Sequence, residues 1–520
     1  MSAVHRWSAI EMVAALRSGA LSSVELVQAL QRRSDTVESQ VGGYCWQLRD
    51  EALDAARHCD NTRTPDAGTV FGMPFTVKEN IATKGVPVTM GLRARLHHPE
   101  REDAAVVRVV RDQGGVLLGK SNIPLLMLSI ETHNDIWGTT HNPWDLARAP
   151  GGSSGGEAAL IASGQSPWGL GTDIGGSVRI PCAWCGIAGL KPGVGRWSAK
   201  GQFSAITGQE VVKAVMGPMA RTARDVVALW SAVTPDAQRL ADPRFVPAPR
   251  SSPDAVDLSG LTVGVYENDG VFQPSAAVRR SIHEAADHLA ALGAKVVRYV
   301  PPDGWALVDL YFGALTADGG AAVIQHLTHQ PPTAHLRTML QLAKTPGVLR
   351  RAATRVLDAM GEARVARVGR AFGEKSAGAL FALAHARNVA QQTELAAWDA
   401  LGLDLVLGPP TVTPAAVRDQ TYDWALGGWH TMRWNVVDLP AGVVPVTTVR
   451  ADEQATRSGG DRLEKKAALF DHGSAGLPVA VQVLGRPGHE ATVLAAMVAI
   501  EDAARTSTGF PVTPVDPSHL

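Results

Sequence analysis

Asp103-Ala104-Ala105-Val106-Val107-Arg108-Val109-Val110-Arg111-Asp112-Gln113-Gly114-Gly115-Val116-Leu117-Leu118 holds a helix, its stop and a strand in one short stretch. Val106, Val107 and Val110 share a helical face, Asp103 stands where an N-cap belongs, and Gly114-Gly115 ends the helix before the aliphatic run that follows. Working outward, residues 69–77 read as a second strand ahead of that helix. The unit returns at 261–265, 275–292 and 295–300. Further strands are expected at 403–407, 442–449 and 477–484, with a closing helix at 489–504. Repeated strand–helix–strand units imply an α/β fold: a mixed, largely parallel twisted central sheet covered by helices on both faces. Two helices precede it, one capped by Ser8 and stopped at Gly19, the other opened by a Ser22/Glu25 capping box.

The chain has 520 residues, 45% of them hydrophobic, with 49 Lys+Arg against 50 Asp+Glu. That composition belongs to an ordered globular protein. A net charge of -1 argues against nucleic acid as a partner, because phosphate binding needs a basic excess. Glu11 interrupts the first apolar stretch, so no secretory leader is expected, and no uncharged apolar run reaches the ~18 residues that would span a bilayer. Cys45, Cys59, Cys182 and Cys185 are too few for a disulfide framework, which fits a reducing, cytoplasmic setting. Cys182 and Cys185 lack the second close pair that a zinc ribbon needs, so they are expected as buried thiols and no metal site is expected.

Residues 120–200 are rich in Gly, Ser and Pro yet contain apolar segments throughout, unlike a polar linker and more like a backbone folded tightly around something. Within and before them stand Lys78, Gly151-Gly152-Ser153-Ser154-Gly155-Gly156 and Gly171-Thr172-Asp173-Ile174-Gly175-Gly176-Ser177-Val178-Arg179. Acyl transfer by a serine requires a base for its proton and donors aimed at the developing oxyanion. The backbone of Ile174, Gly175, Gly176 and Ser177 could supply donors, with the positive end of a helix behind them and Pro181 tolerated only in its first turn. A lysine can be the base if burial strips its charge, and Lys78 follows an apolar strand. Ser153 or Ser154 could relay the proton. Other schemes fit poorly. No lysine has a serine three residues before it, the Gly-x-Ser-x-Gly run at 151–155 lacks a preceding strand, and Gly156 is followed by Glu157 where a phosphate loop needs Lys.

At these three motifs the sequence resembles the amidase-signature family, and within it the fatty acid amide hydrolase branch. The likeness extends to residues 438–449 and 476–482 and covers about 7–504. The resemblance implies a Ser-Ser-Lys triad: Ser177 as nucleophile, Ser153 as bridging serine behind a cis Gly152–Ser153 peptide, and Lys78 as base. It implies an oxyanion hole from Ile174, Gly175, Gly176 and Ser177, with Ser154, Asp173 and Arg179 in support. Met127, Leu128, Ile130 and Thr172 would line the acyl channel. The expected activity is hydrolysis of a carboxylic amide with a hydrophobic acyl or aryl group, with no metal or organic cofactor. The alternatives are a non-catalytic binding scaffold and a glutamine-dependent amidotransferase subunit. The expected organisation is an N-terminal helical segment (1–65), one catalytic domain (66–505) carrying a helical cap at about 330–375 and a surface loop at 450–476, and a C-terminal tail (506–520). A homodimer is expected. One segment departs from the family pattern. In residues 336–370, Arg337, Lys344, Arg350, Arg351, Arg355, Arg364, Arg367 and Arg370 oppose only Asp358 and Glu362, and the apolar face has no Trp or Phe anchor. Peripheral contact with an anionic membrane is thereby open, but a soluble cap is the favoured expectation.

Overall fold

The computed structural model describes residues 4–64, 67–455, 457 and 459–519. Its strands, in chain order, are β1 (Tyr44–Gln47), β2 (Pro74–Lys78), β3 (Val116–Ser121), β4 (His133–Asn134), β5 (Gly138–Thr139), β6 (Trp168–Asp173), β7 (Ala188–Lys191), β8 (Val215–Ala220), β9 (Thr262–Val265), β10 (Lys295–Arg298), β11 (Leu405–Gly408), β12 (Ala441–Thr448) and β13 (Pro478–Gly485). All but the β4–β5 hairpin join one eleven-stranded sheet of order β1-β3-β2-β6-β8-β7-β12-β13-β11-β9-β10.

Alternate residues along these strands feed two separate cores, as a two-faced sheet requires. Leu405, Leu407, Val481 and Val483 pack with the N-terminal helices and Glu490–Ala504 on one face. Val406, Ala480 and Leu484 pack on the other with Trp184, Trp398 and Trp434. The expected α/β class, with helices on both faces, is what the chain adopts. Its pairing is less parallel than expected. Parallel neighbours (β3–β2, β2–β6, β11–β9, β9–β10) lie toward the two ends of the sheet, whereas the centre from β6 to β11 is antiparallel. The unit β6–helix–β7 does keep its two strands pointing the same way, but β8 inserts between them. Local sequence reveals the crossover and not the intruder.

The Ser22/Glu25 capping box and the Ser8 cap form as expected, with Gly19 left-handed at the first helix's end, and Glu11 completes a second box with Ser8. Asp103 does not cap. The helix Ala105–Asp112 begins behind Ala104, and the Asp103 carboxylate instead accepts the Lys84 N–H at 2.8 Å. The expected division at 65/66 falls on residues outside those described. The segment before it also supplies β1, an edge strand of the main sheet, and the helix Arg49–Thr62.

The basic segment 336–370 is three helices, not one: Ala334–Lys344, Gly347–Ala359 and Ala363–Ala371, interrupted at Pro346 and at the left-handed Gly361. Its apolar residues split accordingly. Leu336 is buried, while Val348 (69% exposed) and Met360 (71%) face outward. Residues 450–476, expected as a surface loop, include a helix, Arg462–Asp471, whose Leu463, Ala467 and Phe470 are buried. Their i, i+4, i+7 spacing forms one apolar stripe behind the Asp461 N-cap. Among the described residues no helix is long and apolar enough to cross a membrane.

Candidate active site

The parallel pairing of β2 with β6 aligns Val77 with Leu170, so the ends of the two strands deliver Lys78 and Thr172 side by side. Lys78 is fully buried. Its Nζ lies 2.7 Å from Ser153 Oγ and 2.8 Å from Thr172 Oγ1. Burial lowers the Lys78 pKa to about 7, against the opposing pull of Asp173, Glu157 and Glu79. Glu157, on the helix Gly155–Ala162, is itself buried and raised to about 7 by desolvation, although the Ser121 and Thr76 hydroxyls both donate to it.

The Gly152–Ser153 peptide is cis. Ser154 donates its N–H to the Ser177 carbonyl at 3.2 Å and receives the Thr172 N–H at its Oγ at 3.4 Å, which ties the 151–156 loop to the 171–179 loop. No side-chain hydrogen bond joins Ser153 to Ser177. The two meet on the wall of one cavity of about 350 Å³, where Ile174 and Gly175 also lie. The expected channel residues Met127, Leu128, Ile130 and Thr172 all line it. Met127 is held there with a left-handed φ of 57°, following Leu126 at 56°, an uncommon conformation for side-chain-bearing residues. The cap closes the cavity with Leu340 and Val368.

Asp173 and Arg179, both with fully buried side chains, brace this loop. Arg179 donates twice to Asp173 (Nε at 3.0 Å, Nη2 at 2.9 Å) and also to Thr431 O, Gln482 Oε1 and Asn435 Oδ1. Burial by itself would raise the Asp173 pKa. The Arg179 charge and hydrogen bonds, with help from Asn435, override it and hold the carboxyl well below the usual range.

One of the four backbone donors expected to face an oxyanion is already engaged. Asp173 folds back to accept the N–H of Gly176 at 2.8 Å and of Val178 at 3.1 Å. Gly176, at φ 113°, thus spends its donor on the brace, and the expected four backbone donors reduce to those of Ile174, Gly175 and Ser177. Pro181 sits in the first turn of the helix Arg179–Cys185, where its missing N–H costs nothing. Sequence reasoning missed Thr431 and Asn435 on the helix Trp429–Val436 and Tyr311 in the cavity wall, because none stands in a motif. Gln482 lay inside a segment that carried the resemblance, without an assigned role.

A sequence profile of the amidase family matches residues 25–494. A fatty-acid amide hydrolase 1 from Sus scrofa is 35% identical over 445 residues, covering 84% of this chain and 76% of that relative. The chain belongs to the amidase family. It is an amidase, an enzyme of amide C–N bonds. A solved fatty acid amide hydrolase shares the amidase's fold at TM-score 0.82 and 24% identity, over 96% of this chain and 86% of that one. The family also reaches a glutamyl-tRNA(Gln) amidotransferase subunit from Chromohalobacter salexigens, 34% identical over 326 residues, 61% of this chain and 65% of that relative.

Proposed function

We propose that this amidase hydrolyses amides with a hydrophobic acyl or aryl group through an acyl-enzyme on Ser177. Neutral Lys78 takes the Ser153 proton as Ser153 takes that of Ser177, and Ser177 Oγ adds to the amide carbonyl carbon. The oxyanion is held by the N–H groups of Ile174, Gly175 and Ser177. Collapse breaks the C–N bond, the departing amine receives the proton stored on Lys78 by the same relay, and an ester remains on Ser177. Water, deprotonated in turn by the relay, cleaves the ester to release the acid. The observation that carries this reading is Lys78 Nζ at 2.7 Å from Ser153 Oγ in a buried site that brings its pKa to about 7. The relay to Ser177 tightens with substrate, as catalytic hydrogen bonds commonly do.

The apolar walls, with Met127, Leu128, Ile130, Phe203, Phe312 and Leu340 among them, support a hydrophobic substrate over a small polar one such as glutamine. The amidotransferase relative favours the second reading, a glutamine-dependent subunit. Purified chain assayed alone on a panel of acyl and aryl anilides separates the two. Turnover without partners, abolished in a folded Ser177→Ala variant that a fluorophosphonate no longer labels, is the expected result. Activity retained in Ser177→Ala would move the nucleophile elsewhere.

A further inference from the structure

Tyr311 lies on the helix Gly304–Leu315, edge-on to Phe312 with ring centroids 5.3 Å apart, and only 4% exposed. It shares the cavity wall with Gly175, Ser153 and Ser177. A Cβ built on Gly175 would sit 2.1 Å from Tyr311 Oη, so this approach is open only to glycine. Followed back through Cα to the amide nitrogen, that contact puts Oη within about 5 Å of Gly175 N. Two donors can share one acceptor when each reaches it at ~2.9 Å, which requires a separation under about 6 Å. Burial, with Asp173 nearby, keeps the phenol protonated far above neutral pH, and no hydrogen bond to the protein contributes to that shift. An O–H thus stands on the cavity wall beside the Gly175 backbone N–H, with no hydrogen bond to the described residues.

We propose that Tyr311 is a catalytic residue of this amidase: its O–H donates to the substrate carbonyl oxygen and strengthens as that oxygen becomes the oxyanion, filling the place of the Gly176 N–H that Asp173 occupies. The proposal rests on Ser177 being the nucleophile.

The test is Tyr311→Phe, which keeps the ring and removes the donor. Loss of one oxyanion donor is worth about 10²–10³-fold in kcat. A fall in kcat of about that size with KM little changed is expected, together with slower but complete phosphonylation of Ser177 by a fluorophosphonate. Unchanged kcat, or a rise in KM alone, would overturn the proposal, since a space-filling ring would give one or the other. Should Tyr311→Phe not fold, 3,5-difluorotyrosine at 311 keeps the shape with a stronger donor. kcat should then rise, and kcat at or below the wild type would overturn the proposal. A wild-type Ser177 that resists the fluorophosphonate would instead defeat the nucleophile assignment, a result distinct from any effect of Tyr311.

Discussion

Replacing Arg179 with Met would remove the cation that neutralises Asp173 while roughly keeping the aliphatic stem. The variant loses two hydrogen bonds to Asp173 and three to Thr431, Asn435 and Gln482, all in a site where both charged side chains are fully buried. Breaking a buried pair by removing one partner costs about 3–5 kcal/mol, because the other charge remains uncompensated. Urea unfolding of Arg179→Met should show a deficit of that order, with activity reduced as well, since Asp173 also anchors Gly176 and Val178. The pH dependence has a definite sign. Without Arg179, burial dominates and lifts the Asp173 pKa above its unfolded value, so the native variant binds more protons than the unfolded chain. The deficit should therefore shrink as pH falls into the carboxylate range. A loss below about 1 kcal/mol, or a deficit that grows on acidification, would refute the claim that this pair holds the loop.

Two further variants probe the site from behind and from its far end. Glu157→Gln removes a carboxylate that raises the Lys78 pKa, so the acidic limb of the pH–rate profile should move to lower pH. A limb that vanished would assign the titration to Glu157, itself raised to about 7. Met339→Trp fills the cavity under the cap. It should lower kcat/KM for long acyl amides by about 10–100-fold while sparing short ones, the scale of about one methylene in an apolar pocket. Equal losses for both would show that the cap does not set substrate length.

What the sequence disclosed is what neighbours in the chain decide. The Ser8 cap, the Ser22/Glu25 box, the helix beginning near residue 275 and the strand runs all follow from spacing within one or two turns. Lys78, Ser153 and Ser177 could be singled out because each lies in a short motif, and the structure brings Lys78 and Ser153 within 2.7 Å. What escaped is set by residues far apart. The β8 insertion between β6 and β7 leaves no local trace. Asn435 and Gln482 reach Arg179 across 256 and 303 residues. Thr172 was expected only in the channel wall, but its Oγ1 also positions Lys78, which depends on the β2–β6 register. The Gly176 donor was lost to Asp173 because a side chain three residues away folds back into the loop, a choice that Gly-Gly-Ser spacing does not determine.

The base assignment depends on the charge of one lysine, and that charge can be followed directly. In enzyme carrying lysine labelled with ¹³C at Cε, the Lys78 resonance, assigned by its disappearance in Lys78→Arg, should titrate with a midpoint near 7. It should coincide with the acidic limb of the pH–rate profile. A midpoint near the ordinary lysine value of about 10.4 would leave Lys78 charged at neutral pH and contradict its role as the base.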